Sequence, residues 1–126
     1  KYIKKILKKL SEDPITSKTP TIVFARDPKC NLSEFKLDDL SCYGMFTSID
    51  PSSAIRVFEG SHALQGNLDP KILLEEDSVI KESVKKMLSE FNDFPGYIFN
   101  LGHGITPDIN PDKVKVLVEA VRESGN

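Results

Sequence analysis

The amino-acid sequence predicts an α/β fold in which a parallel β-sheet is covered by helices. Short apolar segments alternate along the chain with segments whose apolar residues recur at helical spacing. Parallel strands need a crossover between them, usually a helix, so this alternation favours parallel pairing. Two architectures satisfy it: a doubly wound open sheet, or consecutive units of a (β/α)8 barrel. A complete barrel needs about 250 residues, so 126 residues supply about half of one.

The first predicted element is an amphipathic helix. Its apolar positions follow the spacing i, i+3, i+4, i+7 at Ile3, Ile6, Leu7 and Leu10. Lysines at positions 1, 4, 5, 8 and 9 fill the opposite face. Such a basic helix could lie on an anionic membrane or in a partner's groove. We expect the commoner arrangement, in which the helix packs on the sheet and its lysine face is solvated.

Four strands are predicted from short runs rich in β-branched and aromatic residues. They are Thr21–Ala25, Tyr43–Ile49, His62–Gly66 and Tyr97–Leu101. Between the first two strands, the apolar residues at positions 32, 35, 37 and 40 predict a second helix at about Leu32–Leu40.

Three later helices share one start signal, in which an Asp or Asn precedes a proline. The pairs are Asp50-Pro51, Asp69-Pro70 and Asn110-Pro111. The first side chain can accept a hydrogen bond as an N-cap, and proline suits the first helical position because it has no N–H to leave unpaired. We expect the first of these helices to end at Gly60 and the third at Gly125. The second is expected to be recapped by Asp77 or Ser78.

Composition excludes several classes of protein. The net charge of −2 gives no electrostatic case for nucleic acid as a partner. No run approaches the roughly 20 apolar residues of a membrane span. Cys30 and Cys42 are too few for a disulfide framework or a structural zinc site. Two free thiols in a reducing compartment are expected, which predicts a cytoplasmic protein, or a plastid one if a transit peptide lies upstream.

Candidate functional residues follow the predicted strands, because the carboxyl ends of parallel strands form the functional face of both architectures. His103, between two glycines after the fourth strand, is the leading candidate: imidazole suits proton transfer or a bond to an anion. The glycines would permit unusual backbone conformations and clear space beside the ring.

The remaining polar residues at these ends carry weaker signals. Gln65 and Asn67 could line a pocket or satisfy loop backbone, and Asp69 is expected to cap a helix. Arg26 and Asp27, after the first strand, could pair with each other or with neighbours. The other histidine, at position 62, precedes its strand and is expected to be structural. No phosphate-binding glycine loop, nucleophile elbow or metal-binding histidine motif occurs in the sequence.

Two of the strand ends carry a specific resemblance to a known family. "ALQGNLDP" at Ala63–Pro70, followed by "NLGHGITPDINPDKV" at Asn100–Val114, resembles the C-terminal part of uroporphyrinogen decarboxylases. The opening "KYIKKILKKL" and the later "TIVFARD" are similar to the family's helix and strand, so the resemblance covers essentially the whole chain. It implies that residues 1–126 are a single segment, the C-terminal half of a (β/α)8 TIM barrel with about four βα units.

The resemblance also implies an activity. The family converts uroporphyrinogen to coproporphyrinogen by removing CO₂ from four acetate side chains, without metal or organic cofactor. Its glycine-flanked histidine contacts the substrate, which assigns substrate binding to His103. The family's N-terminal arginine motif, cleft aspartate and tyrosine have no counterpart here. One departure is local: Met45-Phe46-Thr47 stands where the family usually has Leu-Asp-Trp.

These observations lead to expectations for the chain by itself. It begins at Lys1 without an initiator methionine, and we expect it to be a fragment with little or no activity of its own. It should form a homodimer or self-associate through exposed sheet edges. Two alternatives remain open: a non-catalytic module that binds an anionic small molecule, or a relative of the corrinoid and thiol methyltransferases. Those methyltransferases have a zinc-binding cysteine where this chain has His103.

Overall fold

A computed structural model describes residues 2–124, in which four short parallel strands form one sheet. The strands are β1 (Ile22–Phe24), β2 (Cys42–Gly44), β3 (Ala63–Gln65) and β4 (Tyr97–Ile98). Their order in the sheet is β1-β2-β3-β4, and every neighbouring pair is parallel. A doubly wound sheet reverses its strand order at a switch point. The consecutive order found here is that of a barrel segment, and the prediction of parallel βα units is confirmed.

Within residues 2–124, four α-helices connect and flank the strands. They are α1 (Tyr2–Glu12), α2 (Pro51–Phe58), α3 (Asp77–Glu90) and α4 (Pro111–Ser124). The predicted amphipathic first helix is confirmed, with Leu7 buried in the core. The predicted end of the last helix at Gly125 lies outside the described residues.

The prediction of a helix over Leu32–Leu40 is wrong, because only a short 3-10 helix forms there, at Leu32–Phe35. The apolar residues in this stretch do not keep a helical spacing, since Leu37 falls only two positions after Phe35. The chain instead turns again, with Leu40 N–H donating to the Leu37 carbonyl at 2.9 Å. Phe35 and Leu40 are buried in the core all the same.

The second strand is also shorter than predicted, ending at Gly44 rather than Ile49. Beyond Gly44 one ladder bond persists, from Met45 N–H to the Gln65 carbonyl at 2.8 Å. The chain then leaves the sheet in a turn, where Ile49 N–H donates to the Phe46 carbonyl at 3.0 Å. The carboxyl end of β2 is therefore formed by residues 45–47, whereas the predicted strand continued to Ile49.

The predicted N-caps are present at all three starts. The carboxylate of Asp50 accepts from Ser53 N–H at 2.9 Å, and that of Asp69 accepts from Lys71 N–H at 3.0 Å. The amide oxygen of Asn110 accepts from Asp112 N–H at 2.9 Å. After Asp69 the chain forms a 3-10 helix over Pro70–Leu74.

The expected recapping of the following helix by Asp77 or Ser78 is wrong. The N-cap of α3 is Glu76, which makes no side-chain capping bond. The Asp77 carboxylate instead accepts from Lys113 Nζ at 2.8 Å, which joins α3 to α4. Asp77 is the leading cause that raises the pKa of Lys113.

The core lies between the sheet and the helices. Tyr43 and Leu64, neighbours in the sheet, are fully buried on the helix-facing side, and Tyr43 stacks on Phe58 of α2 with ring centroids 5.1 Å apart. Tyr97 of β4 stacks on Phe91 with centroids 3.9 Å apart. A second apolar cluster joins α3 to α4, formed by Ile80, Val84, Leu117 and Ala120. On the opposite side of the sheet the edge residues Ile22, Phe24 and Ile98 stay exposed.

The cap of α2 gives the chain a pH-dependent stability. Hydrogen bonds from Ser53 and Ser52 hold the pKa of the Asp50 carboxyl below its usual value. A depressed folded-state pKa adds stability above the pKa of the unfolded chain, and that stability is lost as the pH falls through the folded-state pKa. Asp50→Asn keeps a capping oxygen but does not titrate. We expect the urea midpoint of the wild type to fall relative to that of Asp50→Asn between pH 7 and pH 3. A difference that does not change with pH would contradict this.

Candidate functional site

Three aromatic rings line the carboxyl ends of the strands on the exposed side of the sheet. The ring of Phe46, just after β2, lies 5.7 Å from the His103 imidazole, with an angle of 32° between the ring planes. Phe24, at the end of β1, lies 6.3 Å from Phe46 on its other side. We call Phe24, Phe46 and His103 the aromatic row. It places the sequence-predicted histidine beside Phe46, which carries no charge.

His103 is partly buried, and one of its ring nitrogens already has a hydrogen-bond partner within the chain. Its Nδ1 lies 2.9 Å from the Gly104 carbonyl. A carbonyl oxygen only accepts, so Nδ1 carries a proton and the neutral ring has its lone pair on Nε2. Among residues 2–124 no group bonds Nε2. In the protonated ring Nε2 donates, and it can then bind a carboxylate with a charge-assisted hydrogen bond.

The two glycines around His103 have different roles, and only that of Gly104 matches a role that the sequence suggested. Gly102 and Gly104 both lie outside the left-handed region, so neither is needed for an unusual backbone conformation. A Cβ on Gly102 would lie 2.6 Å from the backbone nitrogen of Thr47, closer than real Cβ atoms come. A Cβ on Gly104 would meet nothing within 4 Å. Gly102 therefore allows close approach between the β4 and β2 ends, and Gly104 leaves the space beside the imidazole open.

Asn67 joins two strand ends from a buried position. Its Nδ2 donates to the Phe46 carbonyl at 2.9 Å and to the Ile49 carbonyl at 2.7 Å. Its Oδ1 is buried, and neither it nor the Thr47 hydroxyl has a hydrogen-bond partner within the part of the chain described. Both residues line a cavity of about 300 Å³ below α3. Of the two sequence interpretations for Asn67, its amide nitrogen fits the satisfaction of loop backbone.

No hydrogen bond or ion pair joins the other candidates to His103 among residues 2–124. Asp69 caps a helix, as predicted. Gln65 is partly buried and pairs with Ile98 in the sheet register. Arg26 and Asp27 are exposed, and no ion pair joins them in residues 2–124.

His62 has the structural role predicted for it. Its Nε2 lies 2.8 Å from the Leu37 carbonyl and its Nδ1 lies 2.9 Å from the Ser61 hydroxyl. The ring packs edge-on against Phe58 with centroids 5.6 Å apart. His62 precedes β3 at its amino end, whereas His103 follows β4 at its carboxyl end.

Sequence reasoning missed Phe46 as a site residue. The predicted second strand, Tyr43–Ile49, included Phe46, whereas the observed β2 ends at Gly44. In a strand, alternate residues share a face, so Phe46 would lie on the same face as Gly44. The signal that could have found it is the departure from the family's Leu-Asp-Trp, which marks the position as unusual. Thr47, the next residue, was missed for the same reason.

Residues 2–124 contain neither a metal-binding cluster nor a membrane-spanning helix. No three His, Cys, Asp or Glu side chains in that range are grouped so that they could hold a metal ion. None of the helices described there is both long and apolar enough to cross a bilayer. Both thiols are free: Cys30 is exposed, and Cys42 is buried, which raises its pKa.

Comparison with known proteins decides the family. The family model described as uroporphyrinogen decarboxylase (URO-D) matches residues 1–124. The chain belongs to the uroporphyrinogen decarboxylase family. It is 37% identical over 123 residues to the uroporphyrinogen decarboxylase of Alcanivorax borkumensis. That alignment covers 98% of this chain and 35% of the Alcanivorax protein. It is 34% identical over 122 residues to the uroporphyrinogen decarboxylase of Hahella chejuensis. That alignment covers 97% of this chain and 34% of the Hahella protein.

A shorter segment is more similar still to another relative. Over 59 residues, 47% of this chain, the identity to the uroporphyrinogen decarboxylase of Vesicomyosocius okutanii is 59%, covering 17% of that protein. Over nearly its full length, the chain spans about a third of the Alcanivorax and Hahella proteins. Membership of this family does not favour the methyltransferase or the non-catalytic binding module as the identity of the chain.

Proposed function

We propose that residues 1–126 form the C-terminal part of a uroporphyrinogen decarboxylase barrel and that His103 binds the substrate there. The observation that carries the proposal is the position of His103, which follows β4 on the exposed face with its Nε2 free of partners among residues 2–124. Four consecutive parallel strands and coverage of about a third of the family relatives support the assignment to part of a barrel. The active face of such barrels lies at the carboxyl ends of the strands.

The reaction proposed is the loss of CO₂ from each of the four acetate side chains of uroporphyrinogen, which gives coproporphyrinogen. In each step the bond from the side-chain CH₂ to the carboxylate breaks, CO₂ leaves, and a proton takes its place to give a methyl group. The electron pair of the broken bond is accepted by the protonated pyrrole ring, so the site must stabilise a cationic ring and hold several carboxylates. No metal or organic cofactor is part of the proposal.

Within this reaction the part of His103 is to hold one substrate carboxylate. A protonated imidazole donates from Nε2 to the carboxylate while Nδ1 keeps its bond to the Gly104 carbonyl. Phe46 offers a ring face beside it, on which an apolar part of the macrocycle can pack. The charged groups that complete the cleft belong to other strands of the barrel, so the chain alone is expected to release no coproporphyrinogen.

A chimera tests the proposal. The aligned segment of the Alcanivorax relative is replaced by this chain, and uroporphyrinogen decarboxylation is followed by chromatography of the products. We expect coproporphyrinogen from the chimera and none from the chain alone. A folded chimera that makes no product, or turnover by the chain alone, would contradict the proposal. Tight substrate binding by the chain alone without turnover would support the binding module instead.

We further propose that the isolated chain self-associates through its sheet edges, or that the whole protein forms a homodimer. We also propose that the protein is cytoplasmic. The support is the apolar side chains exposed on edge strands, Ile22 and Phe24 on β1 and Ile98 on β4. The two free thiols, Cys30 and Cys42, fit a reducing compartment. Sedimentation equilibrium of the chain should show dimers or larger species, and a monomer would contradict self-association.

A further inference from the structure

The backbone around Asn67 is tightly anchored to the fourth strand. Gly66 N–H donates to the Ile98 carbonyl at 3.1 Å, and the Tyr97 hydroxyl donates to the Gly66 carbonyl at 2.6 Å. One residue further on, Leu68 N–H donates to the Asn100 carbonyl at 3.2 Å. Asn67 is 4% exposed, so its side chain leaves from a fixed point in the interior.

From that point the Asn67 amide holds the turn that carries Phe46. Both protons of Nδ2 are used, one on the Phe46 carbonyl and one on the Ile49 carbonyl. Without them the turn keeps only one backbone bond of its own, from Ile49 N–H to the Phe46 carbonyl. The amide orientation is fixed by this pattern, because two carbonyl oxygens require the NH₂ group and not the Oδ1 atom.

The loop that carries His103 is locked to the same turn. Gly102 N–H donates to the Leu68 carbonyl at 2.8 Å, and the Gly102 Cα lies close against the backbone of Thr47. Thr47 directly follows Phe46, and His103 directly follows Gly102. The two rings are therefore attached to neighbouring backbones that meet beside Asn67.

We propose that Asn67 is a positioning residue that holds Phe46 against His103, so that a ligand meets the imidazole and an aromatic face as one preformed surface. This inference rests on the proposed function, because the surface that Asn67 supports is the one on which the substrate would bind. It adds a residue to that site which neither touches the substrate nor titrates. Preformed surfaces lower the cost of ordering on binding.

The two histidines make the proposal testable by NMR on the chain itself. The His103 ring protons lie within the ring-current field of Phe46, whereas His62 lies at the other end of the sheet against Phe58. In the unmodified chain we expect nuclear Overhauser contacts between the Phe46 and His103 rings. Phe46→Leu should shift the His103 signals and leave those of His62 in place. Failure of either observation would overturn the proposal.

The decisive variant is Asn67→Ala, and Asn92→Ala is its matched control on an exposed asparagine. We expect Asn67→Ala to move the His103 signals by at least half of the change seen in Phe46→Leu, with the His62 signals unmoved. Asn92→Ala should move neither histidine. His103 signals that stay at their wild-type positions in Asn67→Ala would overturn the proposal, because Phe46 would then be held without the amide.

A second measurement covers the case in which Asn67→Ala unfolds and both histidines move. On warming the unmodified chain, the side-chain amide protons of Asn67 should begin to exchange at the temperature at which the His103 signals shift. A His103 shift that precedes the loss of amide protection would overturn the proposal. The proposed function fails separately, if His103→Ala leaves substrate binding by the chimera unchanged while the Asn67 result stands.

Discussion

Gly102→Ala is expected to destabilise the chain by about 3 kcal/mol, at the upper end of the range for overpacking. The added Cβ would lie 2.6 Å from the nitrogen and 2.7 Å from the Cα of Thr47. These are backbone atoms, so no side-chain rotation can relieve the contact. At roughly 4 °C for each kcal/mol, the thermal midpoint should fall by about 12 °C, and circular dichroism would measure it.

The matched control is the other glycine beside the same histidine. A Cβ on Gly104 meets nothing within 4 Å, and its φ lies outside the left-handed region. Gly104→Ala should therefore be neutral or stabilise by about 0.4–1 kcal/mol, because alanine restricts the unfolded chain. Equal midpoints for Gly102→Ala and Gly104→Ala would contradict the close approach of the β4 and β2 ends.

The fold class could be predicted because its local signals agree with one another along the chain. An Asp or Asn before a proline favours the start of a helix or a turn, and Asp50, Asp69 and Asn110 all make the expected capping bonds. The pair alone is not sufficient, since Asp13-Pro14 lies in a turn and Asp27-Pro28 in irregular backbone. The apolar spacing of the first helix has no break in it. The stretch after Asn31 does have one, at Leu37, and there the predicted helix shortens to a 3-10 turn.

The candidate site was predicted only in part, because its geometry depends on contacts distant in sequence. His103 stands out by its glycines and its place after a strand. The turn after β2 is held by the Asn67 amide, which donates hydrogen bonds to the carbonyls of Phe46 and Ile49. These partners are 21 and 18 residues away in the sequence. Nothing in the local sequence "GMFTSID" indicates this, since its apolar residues continue the strand pattern. Phe46 was therefore placed in a strand instead of beside the histidine.

The neutral character of position 46 has a consequence for His103. Where the family usually has an acid, this chain presents a ring 5.7 Å from the imidazole. A carboxylate there could pair with the protonated imidazole and compete with a substrate carboxylate. Phe46 cannot pair in this way, so it leaves Nε2 of His103 without a competing carboxylate.

His103→Ala in the Alcanivorax chimera is accordingly expected to lower kcat/KM for uroporphyrinogen by about 10- to 100-fold. A hydrogen bond to a charged group contributes about 1.5–3 kcal/mol, and each 1.4 kcal/mol is a factor of about ten. Steady-state kinetics of coproporphyrinogen formation would measure the change. His103→Gln, which keeps an amide donor but no charge, should lie between the wild type and alanine.

The other histidine provides the control for this prediction. His62 is bonded to Leu37 and Ser61 at the amino end of β3, so His62→Ala can weaken the fold but removes nothing from the aromatic row. We expect kcat/KM of folded His62→Ala chimera to stay at the unsubstituted value. A loss as large as that of His103→Ala would mean that both substitutions act through stability. Unchanged kcat/KM in folded His103→Ala would remove the imidazole from the substrate site, because a carboxylate held by Nε2 cannot lose that bond without effect.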